Sequence, residues 1–403
     1  MPHPLERCFV IPKKWVLFIL VLLSMTLPFL DVSRVVSVSE RDVIKAHERE
    51  GPFLITNGTG HIVEVAQRPE LYNITGPLHI IKTRFMQHQP GLKYLGWARF
   101  KMFKYVCFPS MVAQTSQNFV WLVYTDPNLG TTLLEHMTKL LRKYQHFYLV
   151  LDNTEARFNG GSDLERLDWD DVVTGDARKL RYMLQQRDRF PFLETRIDAD
   201  DGLHRKYVEF VQNEAVQVLR PEKTHWTYWC IIQALEWHWV GGCGAIRDQN
   251  EYGALLPSRQ YENFCHTPGM TLGLYRADEN IDVPNVAHSQ LWSALAQDKS
   301  YCGPRTYGTN CIRHIRQFPF AALRARTPTS ASMVGVNKQP VELLQVWDND
   351  SQNAWHLAQG HFNVKREGCK STLEFLEKNM ASILEDAEVG QCTEGHSCRV
   401  SRS

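Results

Sequence analysis

The amino-acid sequence predicts an α/β fold with a mainly parallel sheet covered by helices, and three observations support this prediction. From residue 78 onward, short apolar runs rich in β-branched and aromatic residues alternate with amphipathic segments. Three of the apolar runs end in acidic residues, which is typical of a ligand-binding edge at the carboxyl ends of parallel strands. Residues 119–210 contain no repeat or low-complexity tract, so one continuous β/α alternation is expected.

The predicted elements follow one another in the order β-α-β-α-β-α-β. They are a strand at 78–85, a helix at 96–115, a strand at 118–126, a helix at 132–144, a strand at 146–153, a helix at 175–190 and a strand at 192–198. The second strand is a buried run closed by Asp-Pro, and the helix after it has an amphipathic apolar spacing. A further helix is predicted at 203–216, and another at 371–387 near the C-terminus.

Length and charge narrow the class of protein. The chain has 403 residues and a formal net charge of +1, which allows a large core or one large domain with additional segments. A near-neutral balance gives no electrostatic basis for nucleic-acid binding. The Trp-rich segment 224–239 has two interpretations, as part of the core or as an aromatic platform for a sugar ring.

The N-terminal region carries the signals of a membrane anchor. Residues 1–14 include Arg7, Lys13 and Lys14, whereas residues 15–30 are uncharged. This cationic flank predicts a cytosolic tail at 1–14, a signal anchor at 15–30 and a luminal remainder. A cleaved signal peptide, and hence a secreted protein, is the alternative, because the apolar segment is shorter than the roughly 20 residues that span a typical bilayer.

Three N-glycosylation sequons, at Asn57, Asn73 and Asn349, agree with luminal exposure. Two of them fall in 31–77, a polar segment that we interpret as a luminal stem. The predicted location is therefore the membrane of the Golgi or the endoplasmic reticulum, as a single-pass type II protein whose main domain is luminal.

The cysteines predict local disulfide bonds. Cys8 lies on the predicted cytosolic side, and the nine other cysteines are an odd number, so at least one lacks an intramolecular partner. The closely spaced pairs Cys302–Cys311 and Cys392–Cys398 are the predicted bridges. Zinc binding is the alternative use, but no C-x-x-C pair occurs and the spacings match no zinc-site template.

The stretch "TRIDADDG" at 195–202 places Asp198, Asp200 and Asp201 where a predicted buried strand stops. Three carboxylates this close repel one another, and their burial is costly unless a cation lies among them. Hard oxygen ligands suit Mg²⁺ or Mn²⁺, which can bridge the oxygens of a diphosphate. The simpler alternative is a helix N-cap at Asp201 with two solvated neighbours. An EF-hand is excluded because Leu203 stands at the loop position that requires glycine.

The blocks around this cluster resemble a known family. The segments "HIIKTRF", "FPSMVAQTSQNFVWLVYTDP" and "TRIDADDGLHRKYVEFVQ" are similar to those of the family of glycosyltransferases called putative rhamnosyltransferases. The resemblance covers roughly 80–212 and continues more loosely through 268–277 and 283–291. It implies a GT-A-like nucleotide-diphosphosugar transferase fold. The D-x-D tripeptide alone is common, whereas the combination of blocks is specific.

The resemblance also implies roles for individual residues. Asp198, Asp200 and Asp201 match the D-x-D-D of the family and are expected to bind the metal and the donor diphosphate. His288 matches a late histidine that would complete the metal shell or contact the leaving diphosphate. A purely structural histidine is the alternative at this position.

Three further residues are expected to bind the nucleotide sugar. Arg84 matches the T-R-F arginine and would pair with phosphates, with a structural ion pair as the alternative. Asp126 matches the acid that ends the second strand and would face the nucleotide base or ribose. Asp152 ends the third predicted strand and is expected at the same ligand-binding edge.

The catalytic domain is predicted at 78–326, followed by a C-terminal extension at 327–403. This extension and a Trp-rich insert around 222–260 depart from the family pattern, so the acceptor and the donor sugar are left open. An enzyme that inverts the anomeric centre, as the family resemblance implies, needs a general base near the acceptor hydroxyl. Glu262 is the candidate that we favour among several acids in the region.

The sequence therefore predicts a metal-dependent glycosyltransferase. It would move a sugar, rhamnose if the donor of the family is retained, from a nucleotide-diphosphate donor to a hydroxyl of a glycan or glycoprotein. The alternative is a non-catalytic luminal carbohydrate-binding or scaffold protein on the same fold.

Overall fold

The computed structural model divides the chain into two compact units, 1–68 and 69–403. In the first unit, Ile55–Thr56 pairs with Ile62–Val63 as two antiparallel strands. The described helices and the two main sheets lie in the second unit. The residues that the structure describes are 55–56, 62–63, 76–153, 158, 162–187, 191–238, 253–259, 265, 268–276, 283–284, 286, 288–327 and 351–393.

The second unit alternates strands and helices over its first half. Its strands are β1 (Leu78–Phe85), β2 (Val120–Thr125), β3 (Phe147–Leu151), β4 (Phe192–Arg196), β5 (Gly202–Leu203), β6 (Trp226–Ile231), β7 (Gln233–His238), β8 (Ala254–Arg259), β9 (Met270–Leu274), β10 (Tyr301–Gly303), β11 (Thr306–Tyr307), β12 (Ile312–Ile315) and β13 (Ala322–Arg326). Its α-helices are α1 (Lys93–Met102), α2 (Phe108–Val112), α3 (Thr131–Leu141), α4 (Ala177–Gln185), α5 (Tyr207–Val218), α6 (Leu291–Asp298), α7 (Ser351–Phe362) and α8 (Arg366–Thr393). A π-helical segment, Phe103–Cys107, joins α1 to α2.

The main sheet has seven strands in the order β12-β6-β9-β4-β1-β2-β3. Strands β1 to β4 are parallel, β9 runs antiparallel to both of its neighbours, and β12 is parallel to β6. The predicted α/β class with a mainly parallel, helix-covered sheet is therefore confirmed. Strand β1 has the predicted bounds, and the next three parallel strands end one or two residues earlier than predicted.

Apolar side chains are buried on both faces of this sheet, in two core clusters. Ile81 and Trp121 belong to the cluster on one face, and Ile80 and Leu122 to the cluster on the other. Because both faces are covered, β2 is buried at every position, as expected of a central parallel strand.

A second sheet of four strands, in the order β8-β7-β13-β5, adjoins the aspartate cluster. Strand β5 follows that cluster directly and pairs antiparallel with β13. The Trp-rich segment forms β6 and β7, in which Trp226, Trp229 and Trp237 are at most 1% exposed. Buried rings cannot present a face to a sugar, so the interpretation as part of the core is confirmed for these three tryptophans, while Trp239 lies outside the described residues.

The two C-terminal helices pack against the first half of the domain. Trp355 of α7 and Leu376 of α8 belong to the same core cluster as Phe103. The predicted helix at 371–387 lies within α8. Near the end of α8, the carboxylate Oδ2 of Asp386 accepts hydrogen bonds from the backbone N–H groups of Tyr94 (2.7 Å) and Leu95 (3.0 Å). Asp386 thus caps α1, which has no side-chain cap of its own.

The predicted bridge between Cys302 and Cys311 is present, with a Cα–Cα distance of 5.9 Å. A second bridge joins Cys230 of β6 to Cys265, with a Cα–Cα distance of 5.1 Å. The sequence did not predict this second pairing, because its partners are separated by 35 positions and only the fold brings them together. The side chains of the other predicted pair, Cys392–Cys398, lie outside the described part of the chain.

Within the described residues, no helix is both long enough and apolar enough to cross a membrane. Helix α8 has 28 residues, but charged side chains such as Glu377 and Lys378 recur along it, and charges are costly in a bilayer. This finding contradicts the prediction of a single-pass type II protein in the Golgi or endoplasmic reticulum membrane. The tail at 1–14, the segment at 15–30 and the three sequons lie outside the described residues, as does most of the predicted stem at 31–77.

Candidate functional site

The candidate site lies at the carboxyl ends of β1 and β4. These two strands are adjacent and parallel, but the sheet continues from β1 toward β2 and β3 and from β4 toward β9 and β6. Such a topological switch point is where open α/β sheets bind ligands. Arg84 lies near the end of β1, and β4 ends at Arg196, two residues before Asp198.

The aspartates lie on a turn that is fixed by backbone hydrogen bonds. The N–H of Asp201 donates to the carbonyl oxygen of Asp198 at 3.1 Å, and the N–H of Gly269 donates to the carbonyl oxygen of Arg196 at 2.7 Å. Gly269 has a φ of +78°, and a Cβ atom there would come within 2.5 Å of Ile231. Only glycine therefore permits this close approach next to the turn.

Asp201 is only 5% exposed and joins the turn to the second sheet. Its Oδ1 accepts a hydrogen bond of 3.0 Å from the backbone N–H of Ala325 in β13. Burial, together with the charges of Asp200 and Asp198, raises the pKa of Asp201. The N-cap alternative for Asp201 is wrong, because α5 begins at Tyr207.

Asp198 is exposed and Asp200 is half-buried. Desolvation by the surrounding protein and the charge of Asp200 raise the pKa of Asp198 to about 6, whereas the charges of nearby arginines lower it. Because the side chain of Asp198 reaches water, solvent screens part of the effect. Desolvation is the larger cause of this rise, and repulsion between Asp198 and Asp200 is the second; a bound cation would relieve that repulsion.

Arginines from three separate elements act on Asp198. Arg84 comes from β1, Arg196 from β4 and Arg324 from β13, and all three favour its ionised form. Arg324 also approaches Glu236 Oε1 at 3.4 Å, so the second sheet helps to hold it. We define the edge cluster as Asp198, Asp200, Asp201, Arg84, Arg196 and Arg324.

Arg196 has buried donors that are not satisfied within the described residues. Its guanidinium carbon lies 4.1 Å from the centroid of the Phe158 ring, a cation–π contact. Its Nε and Nη2 atoms are buried and make no hydrogen bond within the described part of the chain. A buried guanidinium normally satisfies all of its donors.

The loop after β1 positions Arg84. Arg84 Nε donates to Gln87 Oε1 at 2.7 Å, and Gln87 Nε2 donates to the backbone carbonyl of Asp152 at 2.6 Å. Met86 and His88 both have left-handed backbone angles, with φ values of 53° and 58°. Non-glycine residues keep such angles only where their surroundings enforce them. No carboxylate of the described residues forms the ion pair that was the structural alternative for Arg84.

Asp126 closes this edge of the sheet but is buried, at 3% exposure. Its Oδ1 accepts from the N–H of Asn128, and its Oδ2 accepts from Asn153 Nδ2, both at 2.8 Å. These bonds tie the loop after β2 to the loop after β3, where Asp152 lies half-buried. The structure thus gives Asp126 a structural role, and nucleotide contacts for Asp126 and Asp152 stay predictions.

His288 is half-buried, and the charges of Arg324 and Arg196 act on it. Its Nδ1 is 3.0 Å from the carbonyl oxygen of Cys265, so this nitrogen is the donor. Burial lowers the pKa of His288, and the charges of Arg324 and Arg196 act in the same direction. The disulfide bond of Cys265 to β6 fixes the carbonyl that orients the ring.

The donor set fits a hard cation only in part. Among the described residues, no group of three or more His, Cys, Asp or Glu side chains is arranged to hold a metal ion. Asp198 and Asp200 nonetheless suit Mg²⁺ or Mn²⁺, since such ions often use one or two carboxylates and take further ligands from substrate phosphates and water. Asp201 and His288, the other predicted ligands, are already bonded to Ala325 and Cys265.

Sequence reasoning missed several members of the site. Arg196 stands inside "TRIDADDG", where a charge at the end of an otherwise buried strand was an available signal. Arg324 and Phe158 are brought to the site by long-range packing and gave no local signal, whereas Gln87 is only three positions from Arg84 in the chain. Glu262, the favoured general base, lies outside the described residues.

Comparison with known families concerns the class of the protein. The model of the family described as "Putative rhamnosyl transferase" matches residues 97–228. This range includes β4 and the aspartate turn, and it leaves out Arg84 and His288. The match confirms the resemblance found in the sequence and defines the class of the protein as a glycosyltransferase. No curated protein matches the chain.

Solved structures of TarS from S. aureus are also similar to this chain. TarS 1–349 in complex with UDP-GlcNAc has 14% identity and a TM-score of 0.30, with 75% of this chain and 73% of that chain covered. TarS 1–349 alone has 12% identity and a TM-score of 0.29, with 81% and 76% covered. A longer TarS structure has 11% identity and a TM-score of 0.28, with 75% and 44% covered. Scores this low do not by themselves establish a shared fold.

Proposed function

We propose that this protein transfers a sugar from a nucleotide-diphosphate donor to a hydroxyl of a glycan or glycoprotein. The observation that carries the proposal is the edge cluster, which places three carboxylates and three arginines at the switch point of an α/β sheet. Carboxylates suit a divalent cation, and arginines suit phosphate oxygens. A nucleotide diphosphate bound with a cation presents both partners at once.

In this proposal Asp198 and Asp200 hold Mg²⁺ or Mn²⁺. The cation, when bound, supplies positive charge to the diphosphate oxygens. Asp201 keeps the turn in place through Ala325, and His288 lies beside the same arginines. His288 is therefore proposed to contact the leaving diphosphate, the second of its two predicted roles.

The reaction breaks the bond between the anomeric carbon and the diphosphate oxygen and forms a bond from that carbon to the acceptor oxygen. The nucleoside diphosphate leaves with the electron pair, and a general base takes the proton of the acceptor hydroxyl. Arg84 and Arg324 favour negative charge at the edge cluster, so they would stabilise the charge that develops on the leaving group. Glu262 is the proposed base, and rhamnose is the proposed sugar on the basis of the family match.

A screen of nucleotide sugars tests this function. The chain is incubated with each donor and Mn²⁺, with and without a chelator, and the release of nucleoside diphosphate is measured. We expect release from at least one donor, and slower release with the chelator. If no donor is hydrolysed or transferred while glycans still bind, the protein is instead a carbohydrate-binding or scaffold protein, and the proposal is wrong.

A further inference from the structure

We propose that Arg196, together with Arg84, forms an anion-binding subsite that receives the diphosphate of the donor directly. This inference rests on the proposed function and gives Arg196 a direct role in it. It gives the diphosphate a protein partner that acts whether or not a cation is bound.

The first step is the condition of Arg196 itself. Two of its nitrogens, Nε and Nη2, are buried without a hydrogen-bond partner in the described part of the chain. Unsatisfied charged donors are among the more costly features of a protein interior. The contact with the Phe158 ring holds the plane of the guanidinium but satisfies none of its in-plane N–H groups. The side chain is therefore oriented, and a diphosphate that enters at this edge would supply the partners that its two buried donors lack.

The second step is its location. Arg196 is the last residue of β4, and β4 pairs in parallel register with β1, so that Lys82 lies opposite Arg196. Arg84 follows two residues later on β1, is exposed, and has its Nε fixed by Gln87. The two guanidinium groups thus lie at the same end of adjacent strands, at the switch point where ligands bind.

The third step is the chemistry of the ligand. Arg84 and Arg196 are like charges that repel each other, and a bound anion would add to the compensation that Asp198 provides. Guanidinium groups present parallel N–H donors that match the oxygens of phosphates. A diphosphate carries enough negative charge and enough oxygens to meet two arginines at once, whereas a single phosphate carries fewer of both. We therefore expect pyrophosphate to bind more tightly than phosphate.

Titration calorimetry with inorganic pyrophosphate, in the presence of a chelator, tests the subsite on the full chain. Arg196→Gln should weaken pyrophosphate binding by about tenfold to a hundredfold, the usual effect of losing hydrogen bonds to a charged group. Arg196→Lys should lose part of this affinity, because lysine keeps the charge but not the parallel N–H donors of the guanidinium. Arg84→Gln should cause a smaller loss, because its side chain is exposed.

Arg313→Gln is the matched control, since Arg313 lies on β12 and pairs with Glu214 away from the edge cluster. We expect its pyrophosphate affinity to equal that of the wild type. A folded Arg196→Gln variant with wild-type affinity overturns the inference. If Arg196→Gln does not fold, unchanged affinity in both Arg196→Lys and Arg84→Gln overturns it equally.

The same experiment separates this inference from the proposed function. If the wild type binds pyrophosphate through Arg196 but releases nucleoside diphosphate from no donor, the subsite stands and the transfer reaction does not. If donors are turned over while the Arg196 variants bind pyrophosphate normally, the inference alone fails. A variant that loses thermal stability but keeps its affinity identifies Arg196 as a structural residue and also overturns the inference.

Discussion

The charged side chains in the interior of β4 and those at its carboxyl end are satisfied in different ways. In the interior, Glu194 pairs with Lys82 of β1 at 2.8 Å, and both side chains are fully buried. Two residues later, Arg196 has buried donors without partners among the described residues. Two residues after that, Asp198 is exposed and is destabilised by the charge of Asp200.

The charges in the interior of β4 therefore stabilise the fold, whereas those at its carboxyl end are proposed to bind a ligand. Removing one partner of a buried ion pair strongly destabilises a protein, so the fold depends on keeping both Lys82 and Glu194. At the edge, by contrast, two buried donors of Arg196 have no partner among the described residues, and a bound anion would supply one. Interior variants should therefore change stability, and edge variants should change binding or turnover.

The largest effect is expected from breaking the interior pair. Lys82→Met removes the buried cation that pairs with Glu194, which should lower the free energy of unfolding by about 3–5 kcal/mol. Denaturant unfolding monitored by circular dichroism measures this loss. The double variant Lys82→Met with Glu194→Leu should regain most of it, because both charges are then absent.

Lys139→Met, at an exposed position of α3, is the control for the loss of a lysine. It should change the free energy of unfolding by less than about 0.5 kcal/mol. If Lys82→Met is as stable as this control, the interior pair does not support the fold and the comparison between the two regions fails.

The next effect concerns the edge. Asp200→Asn removes one carboxylate charge at nearly constant shape, and it should lower turnover by about 10²–10³ while leaving the fold intact. Release of nucleoside diphosphate from the accepted donor measures turnover, and circular dichroism checks the fold. Asp170→Asn, at an exposed position, is the matched control. Equal turnover in both variants would remove Asp200 from the site.

The stability of the fold should also depend on pH, because a histidine is buried in the interior. Burial lowers the pKa of His79 in β1 to about 3, whereas an unfolded histidine has a pKa of about 6.5. The unfolded chain therefore binds a proton that the folded chain does not, and stability is lost as the pH falls from about 6.5 toward 3. At about pH 5 this loss amounts to about 2 kcal/mol.

The measurement compares unfolding at about pH 7 and pH 5 for the wild type and His79→Gln, because the other titrating groups cancel in the difference. The wild type should lose about 2 kcal/mol more than the variant. His356→Gln, at an exposed histidine, should behave as the wild type does. Parallel losses in the wild type and His79→Gln would show that His79 is not the acid-sensitive group.

The smallest effect concerns the C-terminal helices. Asp386→Ala removes the cap that α8 provides for α1 and should lower the free energy of unfolding by about 1 kcal/mol. Glu385→Ala, at an exposed neighbouring position, should have little effect in the same unfolding experiment. Because Asp386 lies outside the edge cluster, nucleoside diphosphate binding should not change. A loss of that binding would connect α8 to the site.

Much of the fold could be predicted from the sequence, because β2 and β3 are continuous apolar runs and all four parallel strands are separated by helical segments. Periodicity is a local property, so it located those elements within a few residues. It could not show that the Trp-rich segment divides between two sheets, since that depends on pairing with β9 and β13. It also could not show that α8 caps α1, because Asp386 and Tyr94 are far apart in the chain.

Only the location of the site could be predicted from the sequence, not the roles of its residues. The aspartates of "TRIDADDG" mark the carboxyl edge of the sheet, and a strand-end argument was enough to find them. Their separate roles depend on long-range contacts, since Asp201 bonds to Ala325 while Asp198 stays exposed. Asp126 shows the converse, because the same strand-end pattern there belongs to a buried loop connection.

The most direct test of the edge cluster is the thermal stability of the chain with nucleoside diphosphates and Mn²⁺. A ligand that binds only the folded state stabilises it by about 2.7 kcal/mol at one hundred times its dissociation constant. We expect at least one nucleoside diphosphate to raise the melting temperature of the wild type and of Asp170→Asn, and to raise that of Asp200→Asn much less. If no diphosphate raises the melting temperature, or if Asp200→Asn responds as fully as the wild type, the edge cluster is not a diphosphate site.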